Sequence, residues 1–239
     1  MSESPIFAAL HQGPSNRFAC AALHAVAHAP GRFYNPLWLT GPTGTGKTAL
    51  LQATAAALLE HPSRPLILRV HAEQLVRDLI RAIERRTTDD FRARILGFQV
   101  ILVDHVDHLS DKPQTPLELG RRMEMAAAQG SQVLLASACS PAGLMSLHRT
   151  LTAHCPDLLC CDILAPEPEE RLAIVRHVAR ARELPLSDRM ACRIAAATCS
   201  PAQIRCIIEH LAARRKLLQL EQTALAEALD HLLAREVSA

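Results

Sequence analysis

Lysine is nearly missing from this sequence: of 26 basic residues in 239, only Lys47, Lys112 and Lys216 are lysines and the rest are arginines. The ammonium is a compact point charge and the guanidinium a planar fork, so a lysine kept in an arginine-biased chain can be there for its chemistry, and Lys47 is expected to be such a case. Aromatics are as scarce, one Trp, one Tyr and five Phe, which argues against the rows of stacking platforms that grip single-stranded nucleic acid. An excess of one charge is lacking too. Basic residues number 26 against 24 acidic ones, a formal net charge of +2, so any contact with DNA has to come from a local patch. No stretch approaches the roughly 20 apolar residues that a membrane span needs. The Met-Ser-Glu-Ser-Pro start has neither a basic n-region nor an apolar h-region, so no membrane association and a cytoplasmic location are expected. The eight cysteines include no Cys-x-x-Cys pair, which argues against a zinc ribbon or a redox motif and predicts buried free thiols. Cys155, Cys160 and Cys161 near His148 and His154 match no zinc spacing. Cys192, Cys199 and Cys206 recur every seven residues, but Pro201 breaks the register and core packing is expected. Histidines 24, 28, 61, 71, 108, 177, 210 and 231 share no ligand spacing and receive no role.

What the sequence does contain is a globular pattern, 49% hydrophobic and 21% charged, long enough for a sizeable core. Small and apolar residues at helical spacing run from 15 to 30 and stop at Pro30-Gly31. Pro36–Thr40 then reads as a strand, Thr48–Glu60 as a helix, Leu66–Val70 as a strand, Ala72–Arg86 as a helix and Val100–Asp104 as a strand. A helix over Leu117–Gln129 and strands over Gln132–Ser137 and Leu158–Ile163 follow. Such alternation predicts a parallel sheet with helices on both faces. After Ala165-Pro-Glu-Pro168 only helical patterns remain, at 169–182, 187–197, 201–219 and 223–235. The expected organisation is therefore an α/β base domain over residues 1–165 and a small helical domain over 166–239.

The strongest local signal is Gly41-Pro42-Thr43-Gly44-Thr45-Gly46-Lys47-Thr48, a G-x-x-x-x-G-K-[ST] loop between a predicted strand and a predicted helix. The chemistry dictates each residue type. Glycines let backbone amides curl around phosphates, the helix N-terminus adds a positive dipole end, Lys47 reaches the β- and γ-phosphates, and the Thr48 hydroxyl ligates Mg²⁺. A phosphate loop also needs an acid at a neighbouring strand end. Val100-Ile-Leu-Val-Asp104 supplies Asp104 as the Mg²⁺-orienting acid of a Walker B motif. The next position, where such ATPases place a second acid to orient water, holds His105, a poorer base beside a triphosphate. Asp107 can substitute only if the chain turns sharply after the strand.

The loop does not stand alone. Gly13-Pro-Ser-Asn16, Pro30-Gly31 and Tyr34-Asn-Pro-Leu-Trp-Leu-Thr-Gly-Pro-Thr-Gly-Thr-Gly-Lys-Thr48 resemble the AAA+ ATPase domain of the bacterial replication initiator DnaA. The likeness continues through His71–Ile83, Asp90-Phe91, Asp104, Ser137 and Ala165–Arg171. It implies an AAA+ P-loop fold, a parallel five-stranded sheet sandwiched by helices with a small C-terminal all-helical lid. It also implies ATP or ADP with Mg²⁺ as ligands, an adenine pocket at Phe7, Leu10 and His11, and a bacterial cytoplasmic setting. No room is expected here for DnaA's partner-binding and DNA-box-reading domains, so the expected likeness is to shorter DnaA-like regulators, of which Hda is the type.

Four positions depart from the family's catalytic set. His105 stands for the second acid, Ala138 for the sensor I residue, His154 for the arginine finger, and a residue near Ala202 for the sensor II arginine, with Arg149 a candidate displaced finger. The expected function is a nucleotide-dependent interaction module in the control of replication initiation, with weak or absent hydrolysis. Its expected partners are DnaA, another AAA+ protein or a second copy. The alternative is an active AAA+ ATPase that remodels DNA or loads a partner protein, as DnaC and IstB do. Arg77, Arg81 and Arg85 repeat at helical spacing. The family uses this helix on single-stranded DNA; a solvated arginine face is the plainer expectation, leaving room for weak contact only.

Overall fold

Five short apolar runs become the strands of one parallel sheet: β1 (Leu37–Thr40), β2 (Ile67–His71), β3 (Val100–Asp104), β4 (Gln132–Ser137) and β5 (Leu159–Asp162), in the order β2-β3-β4-β1-β5. The computed structural model describes residues 10–109, 115–139, 149, 153, 155, 157–218 and 222–236. Strands β1, β3 and β4 are buried along their whole length, as continuous apolar strands covered on both faces must be.

Alternation along each strand sorts the side chains between two cores. Leu37, Leu39, Val100, Leu102, Leu134 and Ala136 face helices α1 (Arg17–His28) and α2 (Lys47–Leu59), meeting Leu23, Leu51 and Leu58. Trp38, Ile101, Val103, Val133 and Leu135 face the other way. They meet α3 (Ala72–Glu84), α4 (Thr88–Leu96) and α5 (Thr115–Ala128) through Leu75, Val76, Phe91, Ile95 and Met123. Helix α4 is not foreseen from the sequence. Its nine residues, TDDFRARIL, bury only Phe91 and Ile95, with Leu96 partly buried against the same core, too short an apolar stripe to detect by periodicity.

The Tyr-Asn-Pro-Leu run before β1 also sets strand register. Asn35 receives the Val133 N–H through Oδ1 at 2.9 Å and donates to the Ser131 carbonyl through Nδ2 at 2.8 Å. Gln132 returns the contact, accepting from Gly31 N at 2.9 Å. These bonds hold the start of β4 beside the start of β1, and the register Leu37↔Leu134 to Thr40↔Ser137 follows.

The chain divides into two compact units, Met1–Leu10, Asn16–Thr43 and Lys47–Ile163 in one, His11–Ser15, Gly44–Gly46 and Leu164–Ala239 in the other. The second is all-helical: α6 (Pro168–Ala181), α7 (Asp188–Ala197), α8 (Pro201–Leu218) and α9 (Gln222–Glu236). Its core is Val175, Ile194, Ile204, Ile208, Leu211 and Leu229. Ser187 caps α7 by accepting from Met190 N, satisfying an amide the helix leaves unpaired. Glu170, buried, accepts from Ser15 Oγ at 2.7 Å. A side chain at Gly13 would collide with that carboxylate, its Cβ falling 2.1 Å from Oε1.

The cysteines correct an expectation. All eight are free, but Cys160, Cys192, Cys199 and Cys206 are exposed, and only Cys20, Cys155 and Cys161 are buried. The apolar faces of α7 and α8 are carried instead by Met190, Ile194, Ile204 and Ile208, so the seven-residue spacing points outward. Burial pushes the Cys20 thiol up to about 11 and the Cys161 thiol to about 12, leaving both protonated and inert at neutral pH.

Candidate functional site

In-register parallel pairing brings the carboxyl ends of the strands to one edge of the sheet, with Thr40 beside Ser137 and Asp162, and His71 beside Asp104. In open α/β sheets ligands sit outside that edge. The loop after β1 begins with Gly41 at φ +146°, and a Cβ there would lie 2.1 Å from the carbonyl oxygen of Ile163. Only glycine fits so close a backbone approach. Gly46, at φ +105°, is the last residue before α2, whose first turn opens with Lys47 and Thr48. No acidic residue occupies that turn, so the helix end keeps the amide groups and positive pole that attract phosphate.

Lys47 is buried and its ammonium donates to the carbonyl oxygens of Gly41 at 2.6 Å and Pro42 at 2.8 Å. Burial lowers its pKa, and the fields of Asp107 and Asp104 work in the opposite direction. Thr48 donates its hydroxyl to Asp104 Oδ2 at 2.7 Å. Two hard oxygen donors thus stand side by side at the helix start, one on a buried carboxylate, which is the donor set Mg²⁺ takes.

Beyond Asp104 the backbone enters the left-handed region at His105, φ +56°. The His105 amide turns back to donate to Asp104 Oδ1 at 2.9 Å, and a single 3₁₀ turn follows over Val106–Leu109. The chain therefore does turn sharply after the strand. The turn carries Asp107 back to the sheet edge, where its Oδ1 accepts from Ala138 N at 2.8 Å. A carboxylate thus stands against the residue that follows β4. The His105 ring lies beside Asp104, Nε2 to Oδ2 3.9 Å, with 41% of its side chain exposed. It stacks on His71, centroids 5.3 Å apart, and on His108, also at 5.3 Å. Sequence spacing assigned His71 and His108 no role; adjacency of two strand ends is the signal that unites them, and it is a property of the sheet.

Leu10 packs against the α1/α2 core. In the helical unit, His11 meets His177 edge to face at 5.9 Å, and burial lowers its pKa against the opposing field of Glu170. Thr45 is buried, and the Gly44 carbonyl accepts from Ala202 N at 3.1 Å. Arg149 is helical and exposed; Phe7, His148 and His154 fall outside the described residues. On α3, Arg77 contacts Glu73 at 3.4 Å and Arg81 lies 3.9 Å from Asp78. Arg85 is exposed at the helix end. Exposed pairs of this kind contribute little to stability, and no described helix is long and apolar enough to cross a membrane.

Known proteins resemble this chain in sequence and in fold. Residues 1–162 match the family described as the bacterial DnaA ATPase domain. The chain is 35% identical over 174 residues to the chromosomal replication initiator protein DnaA of Roseiflexus castenholzii, covering 73% of this chain and 36% of that protein. The chain thus spans little more than a third of that relative's length. Among solved structures, domain III of the Thermotoga maritima replication initiation protein DnaA superposes with a TM-score of 0.84 at 23% identity, covering 98% of this chain and 99% of that one. A replication initiator DnaA bound to AMPPCP and single-stranded DNA superposes at 0.75 and 23% identity, over 83% of this chain and 61% of that one. At those identities the likeness is one of fold: the expected AAA+ parallel sheet with an all-helical C-terminal unit.

Proposed function

The chain belongs to the family of the bacterial DnaA ATPase domain, and on that footing we propose that it is an ATP- or ADP-binding AAA+ module acting in the control of replication initiation. On this reading residues 1–165 are the nucleotide-binding base and 166–239 the lid. The observation that carries it is the Thr48–Asp104 pair at 2.7 Å beside a buried Lys47 at a helix start. Lys47 exchanges the carbonyls of Gly41 and Pro42 for phosphate oxygens. Thr48 and Asp104 hold Mg²⁺, in part through water, and bound Mg²⁺ neutralises charge on the phosphates. Binding of this kind stabilises the native state by mass action. Mg²⁺ with ATP or ADP therefore raises the melting temperature, and an unshifted melt at millimolar nucleotide overturns the reading.

Hydrolysis asks for more: an oriented water and charge neutralisation at the γ-phosphate, where an arginine finger alone contributes about 10³–10⁵ in rate. His105 and Ala138 stand where the family has acids. We therefore propose slow or absent turnover and a role as a nucleotide-dependent partner of DnaA, another AAA+ protein or a second copy.

A second reading, an active ATPase that remodels DNA or loads a partner, draws support from Asp107, held against Ala138 N and felt by Lys47. Steady-state phosphate release separates the two readings. Brisk wild-type turnover that collapses in Asp107→Ala and Arg149→Ala establishes the working ATPase, and slow turnover indifferent to both establishes the interaction module.

A further inference from the structure

Around the magnesium acid the same strand ends gather imidazoles. Pairing of β2 with β3 sets His71 beside Asp104. The left-handed turn folds the His105 ring onto His71, planes at 29°, and His108 stacks on it at 27°. One ligand atom each from His71, Asp104 and His105 lie within 4.8 Å of one another. His105, Asp107 and His108 meet the same limit, but there the carboxylate is only partly buried, and His108 Nδ1 faces Glu73 at 3.1 Å. In the first group Asp104 Oδ2 and His105 Nε2 are 3.9 Å apart. Ligand atoms on a tetrahedral zinc ion, at about 2.0–2.1 Å from the metal, stand about 3.4 Å from each other. A closure of about half an ångström makes the two groups co-ligands, and the exposed His71 and partly exposed His105 are open to an ion from solvent.

We propose that His71, Asp104 and His105 form a second cation site, for an imidazole-binding divalent transition metal of the zinc class. Magnesium does not select imidazole, whereas zinc, copper and nickel do, so the two sites differ in ligand chemistry while sharing one carboxylate. The shared oxygen is Asp104 Oδ2, which also accepts from Thr48. A zinc ion held there withdraws that carboxylate from Mg²⁺, so zinc and Mg²⁺–nucleotide weaken one another, by the same factor in both directions. The zinc site stands on the strand-end geometry alone; the antagonism rests on the proposed role of Asp104 with nucleotide.

The test is a calorimetric titration of Zn²⁺ alone into the reduced full chain, for wild type, His71→Asn, His105→Asn and His108→Asn. Asparagine tolerates the left-handed backbone, so His105→Asn keeps the turn, and His71→Asn, at an exposed strand end, carries the result if His105→Asn melts early. Loss of a direct ligand costs more than the roughly 10–100-fold that the partners of ligands cost. The expected result is a loss of zinc affinity beyond about 100-fold in His71→Asn and His105→Asn, with His108→Asn binding as wild type. Co²⁺ in place of zinc discriminates against the eight free thiols: the expected visible bands lack thiolate charge transfer and vanish in the same two variants. Equal zinc affinity in wild type and both variants, or thiolate bands that persist in them, overturns the site. Saturating Mg²⁺–ADP weakens zinc binding to wild type; zinc binding that depends on both histidines yet ignores Mg²⁺–ADP overturns the sharing of Asp104. If both histidines hold zinc and nucleotide produces no melting shift, the metal site stands and the nucleotide reading falls.

Discussion

The ends of β1 and β3 stand at one edge of the sheet, and after each the backbone swings to positive φ, but the two turns are made of opposite materials. After β1 the residue is Gly41, at φ +146° and pressed against the Ile163 carbonyl, where no side chain fits. After β3 it is His105, at φ +56°, a conformation that costs a residue with a Cβ about 1–2 kcal/mol. The first turn is dictated by sterics, since phosphate loops need bare backbone. The second is kept against local preference, and its histidine is held next to the carboxylate that pairs with Thr48. The two halves of the site therefore need not act together in one reaction. On the proposed reading the β1 end binds a phosphate chain, and the β3 end departs from the family at positions expected to serve hydrolysis.

The strongest effect is expected in the β1 half. Ligand at 100 times its Kd stabilises by about 2.7 kcal/mol, which for a chain of this size shifts Tm by roughly 5–10 °C. Lys47→Ala removes that shift, and thermal melts with Mg²⁺ and ATP or ADP measure it; a retained shift would detach binding from the lysine and undo the contrast between the two ends. Of about the same size is Gly41→Ala, which combines a left-handed strain with a clash on backbone and destabilises by about 3 kcal/mol. Its Tm falls by roughly 6–12 °C without nucleotide, and an unchanged melt would show that the β1 turn is not sterically dictated.

At the β3 end the effects are smaller. Groups acting on one transition state behave as a unit, so restoring one recovers little: His105→Asp raises phosphate release by less than about tenfold, and a larger gain would show that the acid alone was wanting. His105→Gly relieves the positive φ and stabilises by about 0.5–1 kcal/mol, raising Tm by about 1–4 °C. A loss instead would mean that the imidazole stack on His71 and His108 outweighs the strain. The smallest effect is on DNA. Arg77 and Arg81 already face Glu73 and Asp78, so any binding of single-stranded DNA is expected to be weak and steeply salt-dependent, because only phosphates would be contacted. Replacing Arg77, Arg81 and Arg85 by Ala lowers that slope in a fluorescence titration; sub-micromolar binding that persists at high salt contradicts this.

What could be read from the order of residues and what could not divide along physical lines. Strand–loop–helix at 36–60 was legible because apolar runs, three loop glycines and the Lys47-Thr48 pair are local signals, and the alternation of runs already implied a parallel sheet with two covered faces. The helix at 88–96 was not, because two buried residues in nine leave no period to detect. Likewise the outward-facing Cys192, Cys199 and Cys206 share a spacing that says nothing of which face is apolar.

Residue order alone determined the phosphate loop, the acid at the end of β3 and the family, since each is a pattern within a short stretch of chain. Which groups meet was decided by the tertiary structure: Thr48 with Asp104, 56 positions apart, Asp107 with Ala138, 31 apart, and His71 with His105, stacked across two strand ends. Sheet register and a left-handed turn create those contacts. Neither leaves a periodic trace in the order of residues, because both depend on which strand lies beside which.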